Sequence, residues 1–387
     1  ATLPAGYGPQ VGVWTRGNFQ RLAGGGGPTN SIVTLRAAAL DPADRSTVFQ
    51  PALTTQVASK FIELGQPFDD VVTFTTIAAA DGLNNPWFRS PTDGLYAPVV
   101  ANGTVYGPFL EQPVEADAVP PGSPVAGTAT VTTTFADGPT VPYTVVSDDV
   151  ALEPGFYTWV WEIDLGDQSA FTQLFLPDAY LFVDRFGQVA ETQISPMQLR
   201  FTTELTTDIA GLGDSVDDAI ATFTLGGWLR ADGSRIPVVL SGTAYWSADR
   251  PTVSDTVPAS AEPIGTYTVT TDRPQTVTAA DIAVGVRPGF VTLVWCVDPA
   301  AQPVPVRGIT AAWCDQYGLA AETVEVAAPT ITTRAQPLAS PTGTVTDTAI
   351  VSGVIPASGL DITFEGFLQP VGSVAPVCEP GNVIYTS

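Results

Sequence analysis

The feature that most constrains how this sequence can fold is that it repeats itself at domain-sized intervals. Thr54-Thr55-Gln56 leads, after a fixed gap, to Leu64-Gly65 and Asp69-Asp70, and Thr202-Thr203-Glu204 leads without insertion to Leu212-Gly213 and Asp217-Asp218. Thr332-Thr333-Arg334 followed by Asp347 begins the pattern a third time, one residue shorter. The middle of the unit agrees in order and type. Trp87-Phe88-Arg89, Pro98-Val99-Val100 and Gly103-Thr104-Val105-Tyr106 answer Trp228-Leu229-Arg230, Pro237-Val238-Val239 and Gly242-Thr243-Ala244-Tyr245. Further on, Pro154-Gly155-Phe156 through Trp161 mirrors Pro288-Gly289-Phe290 through Trp295. The closing segment matches best: Asp184-Arg185-Phe186-Gly187 to Ala190-Glu191-Thr192 corresponds to Asp315-Gln316-Tyr317-Gly318 to Ala321-Glu322-Thr323.

A period of roughly 130–150 residues is the size of a sandwich domain and too long for a solenoid or a propeller blade. The expected organisation is therefore an N-terminal extension (1–48), a first repeat (49–195), a second (196–328) and a partial third (329–387). The third stops well short of the length of the second, so either truncation or strands from another chain are expected to account for its missing half.

Within each unit the pattern is that of strands. Thr128 to Thr134 and Thr266 to Thr271 alternate small or apolar residues with threonine, the period of a strand with one buried face. Tyr157-Thr158-Trp159-Val160-Trp161 does the same with aromatics. Pro154-Gly155, Pro288-Gly289 and the Asp-Gly pairs at residues 81, 93, 137 and 232 read as turns or hairpins. Asp217 to Ala221 and Ala279 to Val284 fit short helices or strand edges equally. The fold class expected is all-β, with tandem antiparallel β-sandwich domains of Ig-like or prealbumin-like type.

Charge and composition exclude several functions. Acidic residues outnumber basic ones 39 to 15 for a net charge of −24, which repels a phosphate backbone, so nucleic acid is not an expected partner. No stretch approaches the roughly 20 apolar residues of a membrane-spanning helix, and a secretion signal, if there was one, is expected to have been removed. Lys60 is the sole lysine, which fits a GC-rich coding sequence and an actinobacterial source. Cys296 and Cys314 are close enough in sequence for a local disulfide worth about 3 kcal/mol, which suits an oxidising compartment, whereas Cys378 lacks an obvious partner.

Histidine is absent, which removes Ser-His-Asp and Cys-His catalysis and histidine-based metal sites. Paired carboxylates, Glu162 with Asp164 or Asp69 with Asp70, retain the residue types of a glycosidase. Asp70 and Asp218 recur at the same place in successive units, however, and a recurring position is more simply a feature of the fold, so no catalytic residue and no cofactor is expected. Asp69, Asp70, Asp217 and Asp218 are the oxygen-ligand candidates for calcium, set against the simpler reading of solvated acidic loops. Trp87 and Trp228 are the candidates for a ligand or interface platform, set against a shared core position. Asn102-Gly103-Thr104 is a formal glycosylation sequon.

The Thr-Thr start, the Asp strand, the segment Gly103 to Pro108, the turn Pro154 to Trp159 and the Glu-Thr closing strand together resemble repeats of actinobacterial cell-wall surface proteins. These are similar to the prealbumin-like stalk domains of Gram-positive pilins and adhesins. The resemblance spans residues 49 to 387 and implies extracellular, cell-surface display. It further implies a stalk or filament role with neighbouring copies or other surface proteins as partners. The alternative is an adhesin binding a host or polysaccharide ligand through its N-terminal unit. Stalk domains of that kind are often locked by a Lys to Asn/Asp isopeptide or a Thr to Gln ester. Here Asp208 stands where Lys60 would recur, and Glu191 and Glu322 stand where an ester-forming Gln would be, so covalent self-locking is not expected.

Overall fold

The computed structural model describes residues 15–21, 29–35, 49–77, 86–90, 92–336 and 344–387. The chain is nearly all β, in agreement with the fold class read from the sequence. Of the 1–48 extension, only the backbone of one antiparallel hairpin lies within the described residues: β1 (Thr15–Arg21) with β2 (Thr29–Leu35). The Gly24 to Gly27 run and the Asp81-Gly82 turn lie outside them.

Residues 51–195 form two sheets. One contains β3 (Pro51–Gln56) and β4 (Pro67–Thr76). The other is begun by β5 (Val100–Phe109) and β6 (Val125–Thr132). The chain returns to the first sheet with β7 (Tyr143–Val150), in the order β3-β4-β7. It then completes the second with β8 (Gly155–Asp164), β9 (Leu181–Val183) and β10 (Thr192–Ser195), in the order β10-β8-β5-β6 with β9 beside β8. β4 alternates half-buried and buried residues over eight positions, as a strand with one core face must, and places Phe68, Asp70, Val72 and Phe74 inward. β8 is buried along nearly its whole length, and Trp159 and Trp161 are fully buried. Between β8 and β9 lies a single helical turn, α1 (Ala170–Gln173), which the periodicity gave no reason to expect.

Residues 198–327 repeat the plan. Strands β11 (Gln198–Leu205), β12 (Ile209–Gly211) and β13 (Ser215–Leu225) are followed by the short hairpin β14 (Arg230–Ala231) and β15 (Ser234–Arg235). Then come β16 (Val238–Ser247), β17 (Glu262–Thr271), β18 (Thr276–Ala283), β19 (Gly289–Val297), β20 (Trp313–Cys314) and β21 (Thr323–Ala327). The three-stranded sheet is β11-β13-β18, and the larger one runs β12-β21-β19-β16-β17 with β20 beside β19. Both segments open to a helical reading, Asp217 to Ala221 and Ala279 to Val284, fall in or at the end of paired strands of the smaller sheet. The Asp232-Gly233 pair closes β14 onto β15 with positive φ at both residues (52° and 75°), as a two-residue hairpin turn demands.

Two hairpins follow: β22 (Thr330–Ala335) pairs with β23 (Asp347–Ser352), and β24 (Glu365–Phe367) pairs with β25 (Val383–Thr386). The first of these joins the Thr332-Thr333 and Asp347 segments as β3 joins β4. The described residues divide into two compact units. One holds those within 15–198, 224–236 and 302–311, and the other holds those within 199–223, 237–301 and 312–387.

Candidate functional site

The residues that recur most faithfully converge, in each repeat, on one buried cluster. In the first repeat Asp70 lies on the inner face of β4 with no solvent exposure. Its Oδ2 accepts a hydrogen bond from Trp161 Nε1 at 2.7 Å, and its Oδ1 accepts from the Val71 amide at 2.8 Å. In the second repeat Asp218 is equally buried, and its Oδ2 accepts from Trp295 Nε1 at 2.7 Å. Both indoles need space that only glycine leaves. A Cβ at Gly103 would stand 2.7 Å from the Trp161 ring, and one at Gly242 would stand 2.7 Å from the Trp295 ring. The recurring Gly-Thr segment of β5 and β16 is thus the seat of the tryptophan that holds the aspartate.

A second carboxyl pair completes each cluster. Glu191 ends the 3-10 turn Val189–Glu191 immediately before β10, and Glu322 ends the equivalent turn Ala320–Glu322 before β21. Each turn is fixed by the next residue: Thr192 Oγ1 donates to the Gln188 carbonyl at 2.8 Å, and Thr323 Oγ1 donates to the Leu319 carbonyl at 2.7 Å. Glu191 accepts the hydroxyl hydrogen bond of Thr55 on β3, and Glu322 accepts that of Thr203 on β11. In both repeats, therefore, a hydroxyl of the first strand meets a carboxyl at the last one.

Asp184 and Asp315 occupy the turn upstream, seven residues before each glutamate. That turn closes through Gly187 and Gly318, both at φ 79°, where an L side chain is strained and a Cβ would also run into the backbone of Val114 or Thr252. Asp184 Oδ1 accepts from Gln188 Nε2 at 2.8 Å and from the Arg185 amide at 2.7 Å, while Asp315 Oδ1 accepts from the Trp295 amide at 2.8 Å.

Burial makes these groups poor acids. It pushes the Glu191 carboxyl up to about 10, with the hydrogen bond and charge of Asp184 adding to the effect. Glu322 also rises to about 10, through burial first and then the charge of Asp315. Burial lifts Asp315 to about 7 and Asp70 to about 6, in each case against hydrogen bonds that favour the charged form, and it raises Asp218 too. The two glutamates are thus neutral acids at pH 7. Glu191 Oε2 and Asp184 Oδ2 are buried without a heavy-atom donor, and so are Glu322 Oε2 and Asp315 Oδ2. A proton on the glutamate, donated to the aspartate, satisfies both members of each pair.

The sequence-predicted candidates fall as follows. Asp69 and Asp217 neighbour Asp70 and Asp218 on a strand and so point to the opposite face. Asp69 Oδ1 accepts from the Ser59 amide and Gln193 Nε2, and Asp217 Oδ1 accepts from the Asp281 amide. The four carboxylates expected as a calcium set therefore do not converge in either repeat, and among the described residues no group of three or more acidic, His or Cys side chains is arranged to hold a metal. Trp87 and Trp228 are both buried, so neither presents a ring to a ligand. Trp87 Nε1 donates to the Ala97 carbonyl and Trp228 Nε1 to that of Ile236, and Trp87 packs against Phe49 and Phe74. Asp164 caps the 3-10 turn after β8 through the Gly166 amide. Lys60 Nζ donates to the carbonyls of Val189 and Thr192 on either side of Glu191. Cys296 and Cys314 face each other across β19 and β20 and are joined by a disulfide, and Cys378 is free and exposed.

Thr55, Trp161, Asp184 and their counterparts Thr203, Trp295 and Asp315 are legible in the sequence only as repeat matches, whereas Glu191 and Glu322 also stand out there as the residues in the place of an ester-forming Gln. The available signal was that polar and aromatic types stay fixed at these positions while their neighbours vary between the two repeats.

No protein-family model matches the chain, and no curated protein does. Among solved structures it is similar to the Yersinia pseudotuberculosis adhesin InvE, with 14% identity and a TM-score of 0.25 over 71% of this chain and 58% of that one. It is also similar to Escherichia coli alpha-2-macroglobulin activated by porcine elastase, with 10% identity and a TM-score of 0.24 over 80% of this chain and 25% of the other. The chain thus spans less than two thirds of either protein, and likenesses this distant do not bear on function. Among the described residues no helix is long and apolar enough to cross a membrane.

Proposed function

We propose that this chain is a non-catalytic structural segment of an extracellular bacterial surface protein, in which repeated β-sandwich units serve as mechanical spacers of a stalk or filament. The observation that carries this reading is the position of the carboxyl clusters. Glu191 and Glu322 are 2% and 1% exposed, so they are sealed from any polysaccharide or other external substrate. What they do touch is the first strand of their own repeat, across 136 and 119 residues of chain. A contact of that span ties together the two ends through which a pulled repeat would be loaded. Buried, paired polar groups of this kind are stronger than the same groups in water.

Electron microscopy and sedimentation of the purified protein test the reading. Rods or ordered filaments built from sandwich-sized segments support it. Persistent monomers that bind a glycan array at an exposed loop would replace it with the adhesin alternative.

A further inference from the structure

We propose that the second repeat stabilises the first through a clamp made of two of its own segments, the hairpin β14–β15 with the glycines before it and the loop 302–311. The inference deepens the spacer reading and rests on it only for the clamp's purpose; the clamp itself stands on contacts within one compact unit. Residues 224–236 and 302–311 belong to the second repeat by sequence, yet both fall in the unit built from residues up to 198. The hairpin is held just beyond β5. There the Arg230 amide donates to the Leu110 carbonyl at 2.7 Å, and the Gly233 amide donates to Glu111 Oε1 at 2.7 Å. Gly227 leaves room for Leu110, whose side chain a Cβ at that position would overlap. The loop holds the connection between the repeats: the Met197 amide donates to the Ile309 carbonyl at 2.7 Å, and the Met197 carbonyl accepts from the Ala311 amide at 3.0 Å. Gly308, at φ 83°, brings the loop so close to Phe61 that a Cβ there would stand 2.9 Å from its ring.

None of Phe61, Leu110 and Met197 belongs to the first repeat's core cluster. Phe61 and Leu110 are surface residues, whereas Met197 is fully buried although it sits in the two-residue connection between β10 and β11. A connection with its side chain buried and both backbone groups paired is part of the clamp, not a loose tether. The disulfide serves the same end. Cys296 and Cys314 close the segment that carries the loop, while Glu162 and Val183, paired at the equivalent place on β8 and β9, contain no cysteine. The sandwich plan therefore does not need the bridge, but a loop that must be ordered to hold Met197 binds better when it has less freedom to lose. A second joint follows the same rule. The Ala357 amide donates to Asp214 Oδ1 at 2.8 Å, and a Cβ at Gly211 would stand 2.8 Å from Pro356 Cα. In both joints the segment after the Asp strand of the later repeat, β13 or β23, meets the earlier repeat where a glycine permits close approach.

Hydrogen exchange of the full chain, read by mass spectrometry, tests the clamp, with circular dichroism to certify the fold. Gly227→Ala, a change in the second repeat, should speed exchange in β5 and β10 of the first by about tenfold and lower the melting temperature by about 5 °C. Adding Leu110→Ala, which empties the space that the new Cβ needs, should return most of both effects. Reducing the Cys296–Cys314 bond should speed exchange of the Met197 amide by about tenfold or more. If reduction unfolds the chain, the Gly227 and Leu110 pair decides alone. The inference is overturned if exchange in the first repeat ignores Gly227→Ala, or if the damage is the same with and without Leu110→Ala. Met197 exchange that is indifferent to reduction in a protein that stays folded overturns it as well. None of these measurements depends on filaments, so failure of the clamp leaves the spacer reading to the microscopy.

Discussion

Trp295→Phe isolates what holds the second cluster together. The substitution keeps an aromatic ring against Gly242 but deletes the Nε1–H that reaches Asp218 Oδ2 at 2.7 Å, at a carboxyl with no solvent exposure. Losing a hydrogen bond to a buried charged or strongly polar acceptor costs about 2–3 kcal/mol. Shrinking an indole to a phenyl inside a packed strand adds roughly 1 kcal/mol for the space it vacates. The sum, about 3–4 kcal/mol, corresponds to a fall in the melting temperature of about 10 °C for a unit of this size. Scanning calorimetry with denaturant unfolding followed by circular dichroism measures it. A double-mutant cycle with Asp218→Leu separates the hydrogen bond from the packing: the coupling should be about 2–3 kcal/mol, with a residual packing cost of about 1 kcal/mol in the Asp218→Leu background. A melting temperature within about 2 °C of the parent, or coupling near zero, would refute the argument that the indole holds this aspartate.

Gly242→Ala and Gly103→Ala should each cost about 1–3 kcal/mol by overpacking, since the added Cβ would lie 2.7 Å from an immobile indole carbon, and thermal melts check this. The Glu322 carboxyl lies above its unfolded value near 4.5, at about 10. The folded state then holds the extra proton, so the stabilisation is fully present below about pH 4.5 and is lost progressively as pH rises toward 10. Melting temperatures should therefore fall across that window, whereas Glu322→Gln should remove this contribution to the slope. Reducing the Cys296–Cys314 disulfide, which closes a segment with a sequence separation of 18, should lower stability by about 3 kcal/mol, measured by denaturant unfolding with and without reductant.

The sequence by itself determined the strand character of the chain and the way its pattern recurs. Alternation in β4, threonine-rich β6 and β17, and turn dipeptides such as Asp232-Gly233 act locally, through the two-residue period of a strand and the φ preference of glycine, so each can be read without knowing the partner strand. It also marked Asp70 and Asp218 as features of the fold. What it could not assign was their purpose, because Asp69 and Asp70 look identical in a sequence while consecutive strand residues face opposite ways, one toward solvent-side amides and the other into an indole. Exposure of Trp87 and Trp228 was undecidable for the same reason, as it depends on which sheet covers them. Only the tertiary structure decided that Thr55 meets Glu191 and that Thr203 meets Glu322, since those contacts bridge 136 and 119 residues and exist only once two sheets close over one core. The same closure turns ordinary glutamates into neutral acids, because acidity follows from the water a group loses on burial, which residue identity alone does not set.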